Sequence, residues 1–139
     1  MAKISIFQYA IGNSDWSVTG LHNIKLFTHK TGNNTKAIAV PYDFDYSGIV
    51  NAIYAIPSEN LDINSVTERY FLGPCYSKET YEIMLKEFIT KKSEIYNMIE
   101  NFDLLKERSK KNMLSYLDSF YSQIEKKNAT SYFLNNCLK

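Results

Sequence analysis

The chain has 139 residues, 45% of them hydrophobic and 22% charged, with a formal net charge of +1. That composition suits a single globular domain and excludes an intrinsically disordered chain. The near-neutral balance supplies no global field for nucleic acid or an anionic membrane, so neither is expected as a partner.

No apolar run approaches the roughly 20 residues of a spanning helix, and the N-terminus lacks the apolar core of a signal peptide. A cytoplasmic location is the resulting expectation. Cys75 and Cys137 stand outside any CxxC or Cys/His cluster. Each is expected to be an idle or buried thiol, without disulfide or structural zinc.

In chain order, Ile4, Phe7 and Ile11 recur at helical spacing and Gly12 follows them. This predicts a short buried helix over 3–11. Residues 12–22 are rich in turn formers and are expected to be loop. Alternation predicts a strand over 23–29, a polar turn over 30–36 and a return strand over 37–40, which together form a β-hairpin. Residues 46–64 are expected to be irregular. Ser65-Val66-Thr67-Glu68 has the pattern of a capping box and predicts a short helix to Leu72, ended by Gly73-Pro74.

Ser77 is placed to cap a long helix to about Glu100, with Tyr81, Leu85, Phe88, Ile95, Ile99 and Phe102 on its apolar stripe. Asp103 is placed to cap a second helix to about Lys127, lined by Leu105, Met113, Leu117, Phe120 and Ile124. The expected fold is α+β, mostly helical: one domain over 1–139, with a motif-bearing segment 1–75 and an antiparallel helical hairpin over 76–128.

The chemistry-bearing residues gather in the first third. If the second strand continues through Pro41-Tyr42-Asp43-Phe44-Asp45, its period of two puts Asp43 and Asp45 on one face and Phe44 on the other. Two such carboxylates repel and call for a cation, a basic partner or water. Magnesium prefers hard oxygen ligands of this kind beside substrate phosphates. The hairpin returns the chain, so Asn23 is expected near Asp43. Asp15, on the preceding loop, is free to orient or deprotonate an attacking hydroxyl. His22 reads as a structural hydrogen-bonder, His29 as exposed, and Arg69 as a brace for one of the aspartates, with phosphate binding as its alternative.

The segments Ile11-Gly12-Asn13-Ser14-Asp15-Trp16-Ser17, His22-Asn23-Ile24-Lys25-Leu26 and Tyr42-Asp43-Phe44-Asp45-Tyr46-Ser47-Gly48 resemble the atypical bacterial branch of protein-kinase-like proteins. That branch includes the persistence-toxin and spore-coat kinases. The resemblance spans about residues 4–75. It implies a kinase C-lobe-like fold, Mg (or Mn) and ATP as cofactors, and Asp15 as the catalytic-loop aspartate. Asn23 and Asp43 would be metal ligands, with Asp45 as a further one.

Three departures stand beside it. Seven residues separate Asp15 from Asn23, where the usual loop has about four. Asp45 stands where the DFG motif has glycine. The five glycines are scattered, and neither a Gly-rich phosphate loop nor a Val-Ala-Ile-Lys strand is present. The resemblance therefore implies a C-terminal lobe, from a fragment or a truncated relative, that is inactive alone. An upstream N-lobe or a second copy would be its partner. The alternative expectation is a non-enzymatic scaffold of a degenerate kinase-like fold.

Overall fold

The computed structural model describes residues 1–28 and 37–138. It is an α+β fold with a helical majority. Helix α1 is Ala2–Ile11, strands β1 and β2 are Ile24–Phe27 and Ile38–Pro41, and helices α2, α3 and α4 are Lys78–Glu100, Glu107–Ile124 and Ala129–Asn136. The strands form an antiparallel pair in which Ile24 faces Pro41 and Phe27 faces Ile38. The expected polar turn over 30–36 and His29 lie outside the described residues.

Helix α1 is apolar on nearly every side and sits in the middle of the molecule. Ile6, Tyr9 and Ala10 enter the core, where they meet Tyr81 and Leu85 of α2, Leu117 and Phe120 of α3, and Phe133 of α4. Tyr9 is the aromatic hub, set edge-on to Phe71, Phe120 and Phe133 with ring centroids 5.4–6.3 Å away. Edge-to-face aromatic packing of this kind adds attraction beyond the area buried.

The C-terminal end of α1 is closed tightly. Gly12 has φ 66°. Its N–H donates to Tyr9 O, and the N–H of Asn13 donates to Gln8 O at 2.8 Å. This is a Schellman motif, and glycine takes the left-handed conformation without a Cβ penalty. The remaining carbonyls find distant partners: Ile49 N–H donates to Ile11 O and Gly48 N–H to Gly12 O, both at 3.0 Å. Arg69 donates to Ala10 O through Nε and Nη2.

Arg69 also donates from Nη2 to Tyr116 O and from Nη1 to Ser119 Oγ, and its guanidinium lies over the Tyr116 ring. The expectation that it braces an aspartate is thus corrected. It braces a helix terminus, where the aligned carbonyls carry partial negative charge.

The capping box at Ser65 does not start a helix. Ser65 Oγ accepts from Thr67 N–H and Glu68 Oε1 accepts from Asn64 N–H, a turn shifted by one residue from the expected pairing. Val66 and Phe71 are buried on either side of the Arg69 anchor. These tertiary demands override a local helix preference of a few tenths of a kcal/mol per residue.

Ser77 caps α2 as expected, accepting from Thr80 N–H. Phe102, expected on the apolar stripe of α2, is instead exposed in the connection after it. Asp103 does not cap α3, which begins at Glu107 after a turn. The second helix ends at Ile124, short of Lys127. A fourth helix then follows that the periodicity did not predict, with Ala129 and Phe133 buried.

Cys75 and Cys137 form a disulfide, with Cα atoms 4.9 Å apart across a separation of 62 residues. This corrects the expectation of two idle thiols. Next to it, Leu138 N–H donates to Gly73 O, so the end of the chain is paired to the segment before α2. No helix among the described residues is long and apolar enough to cross a membrane.

Candidate functional site

The site begins from the buried loop that leaves α1. Asn13 is 1% exposed. Its Nδ2 donates to Gln8 Oε1 and its Oδ1 accepts the N–H of Asp15 at 2.9 Å. An Asx turn of this kind fixes the backbone two residues on, and here it fixes Asp15 at the surface. Gln8 Nε2 has no hydrogen-bond partner, although the residue is fully buried.

Two side chains then converge on Asp15. Asn23 Nδ2 donates to its backbone carbonyl at 2.9 Å and to Oδ2 at 3.0 Å. His22 Nε2 lies 2.8 Å from Oδ1. Residues 17–22 close the loop by a reciprocal pair of backbone bonds between Ser17 and His22. His22 thus has the hydrogen-bonding role expected of it, but its partner is the candidate catalytic aspartate.

The hairpin delivers the remaining carboxylates. Tyr42 N–H donates to Asn23 O at 3.0 Å, extending the ladder one step past Ile24–Pro41 and seating Asp43 beside Asn23. Asn23 and Asp43 both have positive φ, 52° and 58°. The expected continuation of the strand through Asp45 is therefore corrected. The strand ends at Pro41, and a left-handed turn at Asp43 brings Asp43 and Asp45 together. Asn and Asp are the non-glycine residues that take this conformation most readily. Phe44 points inward as expected and packs edge-on to Phe7 at 5.8 Å.

The electrostatics follow from this crowding. A hydrogen bond to Asp45, then the charge of Asp45, hold the Asp43 carboxyl above its ordinary range. Partial loss of hydration and the charge of Asp15 add to the rise, and His22 opposes it. Asp45 also accepts from Tyr54 Oη at 3.1 Å, and that bond is the first cause of a raised Tyr54 hydroxyl pKa. Neither Tyr54 nor Asn13 was singled out from the sequence. The Asx turn at Asn13 was legible in Asn-Ser-Asp, whereas nothing local to Tyr54 points to Asp45.

Asp15, Asp43 and Asp45 are thus near enough to act on one another's charge, Asn23 is buried against Asp15, and a cavity of about 290 Å³ opens next to Asp15 between Tyr46, Ile56 and Glu59. Among the described residues, no three His, Cys, Asp or Glu side chains are grouped to hold a metal by themselves. One amide and two carboxylates are hard oxygen donors of the kind that magnesium prefers beside phosphate oxygens and water.

No family model, no curated protein and no solved structure matches this chain.

Proposed function

We propose that this chain is the C-lobe of a kinase-like phosphotransferase, carrying its metal- and acceptor-facing groups and inactive alone. The observation that carries the reading is the hydrogen-bonded pair Asp15–Asn23 with Asp43 seated next to it by the hairpin. In this reading Asn23 and Asp43, with Asp45, hold Mg²⁺ (or Mn²⁺) bound to a nucleoside triphosphate such as ATP. The metal neutralises phosphate charge. Asp15 receives or orients the acceptor hydroxyl, which enters by the adjoining cavity. His22 and Asn23 fix the direction of the Asp15 carboxylate.

The glycine-rich loop and lysine that cradle the phosphates are absent from these 139 residues, so an N-lobe or another chain has to supply them. The cytoplasmic setting expected from the sequence belongs to this proposal. The Cys75–Cys137 pairing weighs against it, since disulfides persist mainly in oxidising compartments.

Magnesium titration of the chain tests the metal site. Millimolar Mg²⁺ is expected to lower the Asp43 pKa and shift the resonances of Asn23 and Asp45, and Asp43→Asn is expected to abolish the shifts at Asn23 and Asp45. Unchanged carboxylate titrations in the presence of Mg²⁺ sink the reading.

A partner-binding scaffold is the second reading, favoured by the exposed hairpin. Leu26, Phe27, Ile38 and Val40 are each more than 40% exposed on it. A homodimer in solution that Mg²⁺ does not affect supports that reading over the first.

A further inference from the structure

On another part of the surface, a polar cavity of about 590 Å³ lies between the 48–51 turn and α3. Its polar lining includes Arg69, Asn112, Ser115, Thr67 and Asn51, beside the apolar Ile49 and Val50. No acidic side chain lines it, and none of Asp15, Asn23, Asp43 and Asp45 reaches it. Gly48 lets the turn pack closely on Tyr116: a Cβ there would strike the Tyr116 hydroxyl and come within 2.6 Å of Val66 O.

Arg69 brings a positive charge to the lining. Among the described residues no Asp or Glu lies within ion-pair distance of Arg69. The carbonyls of Ala10 and Tyr116 that accept from it are neutral groups with only partial negative charge. Four of its hydrogen bonds account for Nε–H, both Nη2 hydrogens and one Nη1 hydrogen. A guanidinium has five N–H donors, so one Nη1–H remains. The same cavity is lined by Ser115, by Asn112 and Asn51, and by Thr67, whose hydroxyl also pairs with Ser65 Oγ at 2.8 Å.

We propose that this cavity binds the phosphate group of a small phosphate ester. Several donors surround one uncompensated guanidinium, which matches the many acceptor sites of a tetrahedral oxyanion better than the two oxygens of a carboxylate. The volume leaves space for a small organic body beyond the phosphate. The site is separate from the acidic patch, whose charge repels an anion, and it stands whether or not the phosphotransferase reading does.

The test is an NMR titration of the full chain with inorganic phosphate, against sodium chloride at equal ionic strength. Saturable shifts are expected at the amides of Asn51, Thr67, Asn112 and Ser115. The double variant Asn112→Asp/Ser115→Asp leaves Arg69 and its helix contacts in place. It is expected to weaken binding by roughly tenfold or more, the scale of one hydrogen bond to a charged group, with its melting temperature preserved. Arg69→Gln is expected to remove binding, but it also loosens the end of α1, so the double variant carries the decision. Shifts that fail to saturate, shifts confined to the lysine-rich faces of α2 and α3, or equal binding by the double variant overturn the proposal.

Discussion

Asn23 Nδ2 bridges the backbone oxygen and the carboxylate of Asp15, at 2.9 and 3.0 Å. One amide thus ties the start of the hairpin to the loop that follows α1. Asn23 is 8% exposed and has φ 52°. Removing its side chain therefore costs both bonds, and any residue with a Cβ also meets the strain of the left-handed region. Asn23→Ala is expected to lose about 2–3 kcal/mol from the hydrogen bonds and the backbone together. Asn23→Gly keeps the backbone conformation and is expected to lose less. Urea unfolding of the two variants separates the contributions, and equal losses would show that the backbone term is absent.

The Asp43 carboxyl titrates above its ordinary value of about 3.9 because Asp45 shares a hydrogen bond with it and repels its charge. The folded state therefore binds this proton more tightly than the unfolded state does. The resulting stabilisation is full below the ordinary value and is lost as pH rises through the raised folded value. Asp45→Asn is expected to bring the Asp43 pKa down and flatten that part of the stability profile. Carboxyl-carbon NMR across the acid range checks it, and an unmoved Asp43 titration refutes the pairing.

Gly48 packs where a side chain does not fit, under the Tyr116 hydroxyl and 2.6 Å from Val66 O as measured from an added Cβ. The obstructing Val66 atom is backbone and cannot rotate away. Gly48→Ala is expected to destabilise the fold by about 1–3 kcal/mol, the usual cost of overpacking. Thermal unfolding measures it. Gly20→Ala is the control, because its added Cβ meets only Ser17 at 3.2 and 3.4 Å.

The disulfide closes a loop with a sequence separation of 62. In the chain-entropy account, a loop of that size contributes about 4 kcal/mol by restricting the unfolded chain. Reductant and Cys75→Ala are each expected to lower the urea midpoint by the same amount, and reductant is expected to leave the variant unchanged. A chain whose intact mass does not change on reduction carries no such bond, and the prediction fails with it.

Local signals made much of the fold legible. Ile4, Phe7, Ile11 and Gly12 marked α1 and its end, Ser77 marked the start of α2, alternation marked the first strand, and the polar turn marked the return strand. Each of these depends on residues within a few positions of one another, so periodicity and capping are enough to find them. The 65–72 segment had an equally good local signal and did not obey it. Arg69 there is held by Ala10 and Tyr116, and Val66 and Phe71 are buried.

In the candidate site, the sequence by itself singled out the candidate residues Asp15, Asn23, Asp43 and Asp45, and a hairpin that returns the chain from Asn23 to Asp43. Tertiary structure alone decided how they meet. The contact of Asp43 with Asp45 arises at a turn with φ 58° rather than along a strand, and His22 joins Asp15 by closing a loop. Helix α4, the Cys75–Cys137 bond and the role of Arg69 were likewise decided by partners dozens of residues away. Sequence periodicity records which face of an element is apolar. It does not record which distant group arrives to satisfy a helix carbonyl, a cysteine or a carboxylate, because that choice is made only when the layers pack.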